Sequence, residues 1–314
     1  MTDRVLVTCP PMLGLIDEFA EAFANHGLEF TAADVVQTMT EDELIALLPD
    51  YDGWIIGDDP ASRRVMEEAT KGRLRACVKW GVGTDNVDFD AFGALGVPVE
   101  NTPGVFGNEV ADVALTYTLG LARETYAIDR QIRTMNAWPK PSGISVLGRK
   151  IGIVGFGDIG QQTARRLIAC GAEIVAYDPA YKHITDVPAE HAVWPERLDE
   201  VDFLIFTCPL NAATHHMFNH GTLELLKSGV RIVNVGRGGL IEEAALIEGI
   251  TTGRVHSAAL DVFEVEPLDP NSPLRRFDQC IFGSHNGSNS VDAVRRVSHI
   301  AVDKIARLLK ESIS

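Results

Sequence analysis

Three side chains in the last third of the chain have the chemistry to bind an anion and to move a proton. They are Arg237, Glu266 and His285. The planar guanidinium of an arginine matches a carboxylate together with a neighbouring carbonyl, and a histidine exchanges its proton near neutral pH. A carboxylate beside the histidine favours its protonated form and fixes the ring. Together they predict a site that orients a small 2-keto acid and protonates its oxygen.

Each of these residues also has an ordinary structural interpretation. Most arginines pair with surface carboxylates, Glu266 lies in an acidic run with Glu264, and His285 is one of nine histidines. Arg237 has the stronger claim, because it lies in a glycine-rich loop after a buried strand. Such loops stand at the edge of a parallel sheet where ligands bind.

The element that must position this chemistry spans residues 150–178. A short apolar run is followed by Gly155, Gly157 and Gly160, then by an amphipathic segment and a second apolar run that ends at Asp178. The first glycine permits a tight turn, the second lets a pyrophosphate approach the backbone, and the third lets a helix pack on the strand. The N-terminus of that helix favours phosphate.

Asp178 lies about 20 residues after the glycines, where a carboxylate accepts hydrogen bonds from a ribose. It would repel the extra phosphate of NADP, so the motif favours NAD. The glycine spacing alone also occurs in structural turns. With a strand before it, a helix after it and the acid in place, it predicts a cofactor site.

Strands and helices alternate along the whole chain, which predicts an α/β fold with parallel sheets. Residues 101–104 are rich in turn formers and mark a break, and a capping box at Thr40 and Glu43 begins a helix. Helices are also predicted over residues 13–25 and, as one long connector or dimer surface, over residues 108–135. Further strands are predicted to end near Cys208, Arg237, Asp261 and His285, and a helix over residues 291–309 is expected to return to the first domain.

Composition excludes several classes of partner. The chain has 314 residues, enough for two domains, and a net charge of −16, which argues against nucleic acid and anionic membranes. No signal peptide or membrane helix is predicted at the N-terminus. Five scattered cysteines suit a reducing compartment, so the cytoplasm is expected. His215, His216 and His220 lack a supporting ligand arrangement, so they are interpreted as surface residues and no metal site is predicted.

Six motifs together resemble the NAD-dependent D-2-hydroxyacid dehydrogenase family, which includes 3-phosphoglycerate dehydrogenases and glyoxylate/hydroxypyruvate reductases. The similarity covers nearly the whole chain. The motifs are GVGTDNVD (residues 81–88), NTPG (101–104), IVGFGDIG (153–160), VNVGRGGLI (233–241), ALDVFEVEP (259–267) and the late histidine, His285.

The resemblance implies a role for each matching residue. Arg237 would bind substrate, Glu266 would support the histidine, and His285 would be the acid–base residue. Asp261 would hold the nicotinamide amide, and the N–H groups of Val82 and Gly83 would hold the substrate carboxylate. Besides the glycines and these residues, the implied cofactor contacts are Asp158, Ile159, Asp178, Cys208, Pro209, Thr214, Val235 and Gly236.

The resemblance also implies an architecture. The family has two flavodoxin- or Rossmann-like parallel-sheet lobes with the active site in the cleft between them. A substrate-binding (catalytic) domain is expected over residues 1–101 and 287–314, and an NAD-binding Rossmann domain over residues 102–286. The expected partners are a small 2-hydroxy or 2-keto acid and a second copy of the chain, in a homodimer formed through the nucleotide-binding lobe.

The chain departs from the family pattern at several places. Asn286 and Asn289 stand where an apolar residue and a threonine are usual. Asp58 and Asp59 occupy a loop that the family uses to contact substrate, and two acids there would repel a phosphate, which disfavours 3-phosphoglycerate. Trp80 precedes the GVG loop. It favours a bulkier substrate if it faces the cleft, and it is a packing residue if it lies in the core.

Three functions compete. The leading hypothesis is hydride transfer between NAD(H) and a D-2-hydroxy acid or 2-keto acid pair. The alternative is a non-catalytic NAD-sensing interaction protein on the same fold, and the third is oxidation of formate or phosphite. The complete set of Arg237, Glu266 and His285, and the lack of a basic or disordered tail, favour the first.

Overall fold

A computed structural model describes residues 2–312 of the chain. The described residues form two compact units: residues 2–106 with residues 289–312, and Gly107–Ser288. Met1, Ile313 and Ser314, which belong to the predicted first domain, lie outside the described residues. No helix in residues 2–312 combines the length and the apolar character that are needed to cross a bilayer.

The first unit is built on a five-stranded parallel sheet. Its strands are Asp3–Val7 (β1), Leu28–Ala32 (β2), Gly53–Ile56 (β3), Ala76–Lys79 (β4) and Val99–Asn101 (β5). The strand order is β2-β1-β3-β4-β5, which is the flavodoxin-type order. The central strands β3 and β4 are buried along their whole length, as expected for a parallel sheet covered on both faces.

Short helices connect these strands. They are Pro10–Leu13 (α1), Ala20–Asn25 (α2), Glu41–Leu47 (α3), Arg63–Ala69 (α4) and Phe89–Leu95 (α5). The predicted capping box is present, because the Glu43 carboxylate accepts the Thr40 N–H at 2.8 Å while the Thr40 hydroxyl accepts the Glu43 N–H. The single helix predicted over residues 13–25 is wrong. Gly14 follows α1, and a 3₁₀ turn at Ile16–Phe19 separates it from α2.

The second unit contains a seven-stranded parallel sheet. Its strands are Lys150–Val154 (β6), Glu173–Tyr177 (β7), Glu190–His191 (β8), Phe203–Phe206 (β9), Val230–Asn234 (β10), Val255–Leu260 (β11) and Ile281–Phe282 (β12). The order β12-β11-β10-β9-β6-β7-β8 is the Rossmann order with one additional strand. The two sheets confirm the predicted α/β fold with two parallel-sheet lobes.

The helices of the second unit are Gly107–Arg123 (α6), Thr125–Met135 (α7), Asp158–Ala169 (α8), His220–Leu225 (α9) and Glu243–Thr252 (α10). The single helix predicted over residues 108–135 is wrong, because Glu124 has a left-handed φ of 55°. The last carbonyls of α6 bond elsewhere: Leu121 accepts from the Arg231 side chain at 3.3 Å, and Ala122 accepts the N–H of Ile144 at 2.8 Å. A continuous helix would need those carbonyls for itself.

The last helix, Val291–Glu311 (α11), returns to the first unit as predicted. Ser290 caps its N-terminus by accepting the Ala293 N–H. Its apolar face packs on β3 and β4, and Gly53 allows a close approach, since a methyl group there would lie 3.1 Å from Ile305. Glu100 on β5 forms ion pairs with two basic residues of this helix, Lys304 and Arg307.

Candidate active site

The predicted site residues of the second unit follow the carboxyl ends of its strands. Gly155 follows β6, Asp178 follows β7, Cys208 lies beyond β9, and Arg237 lies beyond β10. β6 lies between β7 and β9 in the sheet, so the chain direction of the crossovers reverses there. Ligands of open parallel sheets bind at this switch point.

The glycine turn has the shape that a pyrophosphate requires. Gly155 has a φ of +89°, and a methyl group on it would lie 2.6 Å from the Cys208 backbone. A methyl group on Gly160 would lie 2.1 Å from the Gly155 carbonyl oxygen, so this glycine lets α8 pack on the turn. A methyl group on Gly157 would meet no atom within 4 Å. Gly157 therefore borders open space at the start of α8, where N–H groups point outward.

Asp178 lies directly beside this turn. Its carboxylate accepts the Phe156 N–H at 2.6 Å and the Ala180 N–H at 2.7 Å. These bonds hold the acid at the end of β7, where the ribose of a nucleotide bound on the turn would lie. Asp158 and Ile159 begin α8, so their N–H groups belong to its first turn.

The loop after β9 lies against the glycine turn at Cys208. Cys208 is buried, and burial raises the pKa of its thiol to about 12, so this residue packs rather than reacts. The Thr214 hydroxyl donates to the Pro209 carbonyl at 2.7 Å and accepts the Asn211 N–H at 2.8 Å. The threonine thus closes the loop on itself. These residues and the glycine turn fit an NAD molecule, which would supply or accept a hydride when bound.

His285 and Glu266 are brought together. Nδ1 of His285 lies 2.7 Å from Oε2 of Glu266, and both side chains are 22% exposed. The second oxygen of Glu266 accepts the Phe263 N–H at 3.0 Å, which fixes the carboxylate. The carboxylate therefore holds Nδ1 and fixes the orientation of the imidazole ring.

The loop that carries Arg237 packs against the segment that carries Glu266. A methyl group on Gly238 would lie 1.8 Å from the Phe263 carbonyl oxygen, so only glycine permits this approach. Asn234, almost completely buried, shapes the loop by donating to the Arg237 carbonyl at 2.9 Å and accepting the Gly236 N–H at 3.0 Å. Asn234 was not singled out from the sequence, although a polar residue at the end of a buried strand was the available signal.

Asp261 is buried at the end of β11 and accepts several hydrogen bonds from its own unit. Its carboxylate accepts the Gly287 N–H at 2.7 Å, the Asn286 N–H at 3.3 Å and the Tyr117 hydroxyl at 3.3 Å. Tyr117 lies within the helix that was predicted over residues 108–135 and was given no role of its own. Its hydroxyl donates to Asp261, and the carboxylate of Asp261 in turn accepts N–H groups of the loop that carries His285.

In the first unit, Val82 and Gly83 lie on the loop after β4. The Gly81 N–H donates to the buried Thr102 hydroxyl at 2.7 Å, and the Asn101 side chain donates to the Val82 carbonyl at 3.0 Å. These bonds fix the loop through other groups. Among the described residues, the N–H groups of Val82 and Gly83 make no hydrogen bond, which suits them to an anion.

Two residues that were considered as substrate contacts are turned inward. Asp59 is fully buried and accepts the N–H groups of Met39 at 2.7 Å and Gly57 at 3.1 Å, and burial raises the pKa of its carboxyl. The expectation that it repels a substrate phosphate is therefore wrong. Trp80 is 5% exposed and donates its indole N–H to Ser298 at 3.1 Å, so it is a packing residue.

Asp58 is the other acid of the loop after β3, and it forms an ion pair with the buried Lys79 at 3.1 Å.

Two of the three histidines within residues 215–220 have acidic neighbours. His216 pairs with Glu264 at 2.6 Å, and His220 pairs with Glu242 at 3.2 Å. Both histidines are partly exposed, as is usual for residues in surface ion pairs.

A Rossmann-ordered unit with this turn, acid and histidine defines an NAD-dependent dehydrogenase. The family model described as "D-isomer specific 2-hydroxyacid dehydrogenase, NAD binding domain" matches residues 115–287. The chain belongs to the D-isomer specific 2-hydroxyacid dehydrogenase family, as the motifs predicted. It is an oxidoreductase that transfers a hydride between NAD(H) and a D-2-hydroxy acid or 2-keto acid pair.

Named relatives agree with this assignment. The chain is 36% identical over 277 residues to a hydroxypyruvate reductase of Thermotoga maritima, covering 86% of this chain and 89% of that protein. It is 31% identical to a D-3-phosphoglycerate dehydrogenase of Methanocaldococcus jannaschii, covering 91% of this chain. The chain spans only about half the length of that dehydrogenase, with 55% covered.

The fold is shared with solved structures. The TT0316 protein of Thermus thermophilus superimposes with a TM-score of 0.85 and 29% identity, covering 98% of this chain and 97% of that one. The non-catalytic alternative gains no support from these relatives.

Proposed function

We propose that the enzyme reduces a short, unphosphorylated 2-keto acid of the hydroxypyruvate type. The observation that carries the chemistry is the 2.7 Å pair between His285 and Glu266. Support for the substrate class comes from the hydroxypyruvate reductase of Thermotoga maritima, since the match covers 89% of that enzyme's length. The Asp58–Lys79 ion pair adds to this, because the lysine is already neutralised by an acid and is a poor site for a phosphate.

We assign the site residues as follows. Arg237 binds the carboxylate and polarises the keto oxygen with its planar fork, and the N–H groups of Val82 and Gly83 bind the same carboxylate. In reduction, Nε2 of protonated His285 donates its proton to the oxygen on which negative charge develops. In oxidation, the same nitrogen accepts the hydroxyl proton. Glu266 favours the imidazolium form and keeps the ring in place.

The cofactor contacts are proposed at the glycine turn and at the strand ends already described. Asp178 binds the ribose, the first turn of α8 binds the pyrophosphate, and Asp261, Val235 and Gly236 lie on the nicotinamide side. We further propose that residues 2–106 with 289–312 form the substrate-binding domain and that residues 107–288 form the NAD-binding domain.

Replacement of His285 with alanine tests the proposal. We expect kcat for reduction of hydroxypyruvate to fall by about 10²–10⁴-fold, while NADH binding, followed by its fluorescence, changes little. The matched control is His183→Ala, since His183 is an exposed histidine of the same unit. Near wild-type turnover of the His285 variant with its best 2-keto acid would show that another group is the acid.

We also propose a homodimer. α7 buries none of its residues within the described chain, and large apolar side chains are exposed on and after it: Met135 at 60%, Trp138 at 79% and Leu147 at 72%. Large apolar side chains left exposed on and after an unburied helix are the kind of surface through which proteins associate. Sedimentation equilibrium should give twice the mass of one chain, and Trp138→Glu should shift the protein toward one copy. A monomeric wild type at micromolar concentration would refute this.

A cytoplasmic location is proposed on the state of the cysteines. All five are free thiols, which is usual in a reducing compartment. Subcellular fractionation followed by the NADH oxidation assay checks this, with activity expected in the cytosolic fraction.

A further inference from the structure

His285 has a backbone conformation that the chain must enforce. Its φ is +56°, in the left-handed region that costs a residue with a Cβ free energy. Strained residues at functional sites persist where their surroundings hold them. The His285 N–H donates to the Asp261 carbonyl at 2.7 Å, which is the first of the contacts that hold it.

The carboxylate of Asp261 holds the residues that follow. Oδ2 accepts the Gly287 N–H at 2.7 Å, and Oδ1 accepts the Asn286 N–H at 3.3 Å. Through its carbonyl and its carboxylate, Asp261 thus bonds three consecutive N–H groups, those of residues 285, 286 and 287. We call residues 283–287 the histidine loop.

Tyr117 of α6 contacts this arrangement from the other side. Its hydroxyl donates to Oδ1 of Asp261 at 3.3 Å, and the residue is 8% exposed. Burial and the neighbouring carboxylate raise the pKa of the phenol, so it remains a neutral donor. A methyl group on Gly283 would lie 2.4 Å from the Tyr117 hydroxyl and 2.1 Å from Oδ1 of Asp261. The hydroxyl, the carboxylate and the loop backbone are therefore in direct contact.

Space is available for the loop to move if this contact is lost. A pocket of about 360 Å³ borders the same groups and is lined by Tyr117, Tyr126, Asp261, Ser284 and Asn286, among others. Removing the hydroxyl would leave one oxygen of a buried carboxylate with a partner fewer. It would also enlarge the space next to the loop.

We propose that Tyr117 is a positioning residue for the dehydrogenase reaction. It fixes the carboxylate of Asp261, and Asp261 fixes the histidine loop, so that His285 presents its ring for proton transfer. The inference rests on the proposed acid–base role of His285. It means that Tyr117, a residue of α6 that is distant in sequence, helps to orient the ring of His285.

The test is Tyr117→Phe, which removes only the hydroxyl. The matched control is Tyr126→Phe, since Tyr126 lines the same pocket. We expect kcat of the Tyr117 variant to fall about tenfold, the factor that corresponds to the lower end of the range for a hydrogen bond to a charged group. The pH at half-maximal kcat should stay in place, because the Glu266–His285 bond is untouched. The control should retain wild-type kcat.

Two further measurements separate positioning from a general loss of stability. Hydrogen exchange of the peptide that contains residues 283–287 should become faster in the Tyr117 variant and not in the control. In the background of His285→Ala, Tyr117→Phe should cause no additional loss. Wild-type kcat in the Tyr117 variant, unchanged exchange in the loop, or the same tenfold loss in the His285→Ala background would overturn the proposal. A His285→Ala enzyme with full activity would refute the proposed acid instead.

Discussion

Replacing Glu266 with glutamine should shift the pH dependence of turnover toward lower pH. In the wild type, Oε2 of Glu266 lies 2.7 Å from Nδ1 of His285, a position from which a carboxylate would stabilise an imidazolium. A glutamine retains a carbonyl oxygen that can accept the Phe263 N–H, which the carboxylate accepts at 3.0 Å. The side chain should therefore keep its place while it loses its charge.

The size of the shift follows from the exposure and length of this bond. A hydrogen bond between charged groups contributes about 1.5–3 kcal/mol. Because both side chains are 22% exposed, solvent screens the pair, and about 1.5 kcal/mol is the better figure. About 1.4 kcal/mol corresponds to one pH unit. The pH at which kcat/KM for reduction begins to decline should therefore be lower by about one unit in the variant. At pH values above that decline, reduction by the variant should be about tenfold slower than reduction by the wild type.

The assay is kcat/KM for keto-acid reduction and for hydroxy-acid oxidation, each measured across the pH range. Reduction needs the protonated imidazole and oxidation needs the neutral one, so both limbs should move in the same direction by the same amount. The reduction deficit should shrink as pH is lowered. A uniform loss of rate with both limbs in their wild-type positions would refute the electrostatic reasoning and leave Glu266 a purely geometric role.

Three other substitutions test the cofactor turn and the last helix. Gly157→Ala should leave the melting temperature almost unchanged, because a methyl group there meets no atom within 4 Å, yet weaken NADH binding about tenfold in a fluorescence titration. Gly160→Ala should instead destabilise the protein by about 1–3 kcal/mol, and equal effects of the two would contradict this. Glu100→Gln should lower stability by less than about 1 kcal/mol at pH 7, since its carboxylate is 36% exposed. Ion pairs with α11 lower the pKa of Glu100. Its contribution to stability is therefore present above the ordinary glutamate range and is lost as the pH falls through the lowered pKa. The urea midpoints of the wild type and of Glu100→Gln should differ at pH 7 and converge at pH 3, and the control Glu21→Gln should match the wild type at both.

Local signals in the sequence predicted much of the fold. The capping box at Thr40, the glycine turn and the apolar strands are all properties of neighbouring residues. The break at Glu124 was not predictable, because neither glycine nor proline marks it. It depends on distant partners, Arg231 and Ile144, that take the carbonyls of α6. The two-residue strand β8 is too short to show any periodicity.

The direction of loop side chains was the other limit. Asp58 and Asp59 are chemically the same in the sequence, but only Asp59 is enclosed by N–H groups from other segments. Trp80 fits two interpretations by its sequence alone, and the hydrogen bond from its indole N–H to Ser298 of α11 decides for packing. The Glu266–His285 pair was proposed from residue types and from family resemblance, whereas the Tyr117 contact depends on how α6 packs and had no signal in the sequence.

The first unit is discontinuous, since α11 follows the whole of the second unit in the chain. During synthesis on a ribosome, residues 107–288 emerge before the segment that forms the helix covering β3 and β4. The nucleotide-binding unit can therefore complete its core while the other still exposes an apolar sheet face, which we expect to recruit chaperones in the interval. A released chain that ends at residue 288 should bind NADH and remain protease-sensitive in its first hundred residues.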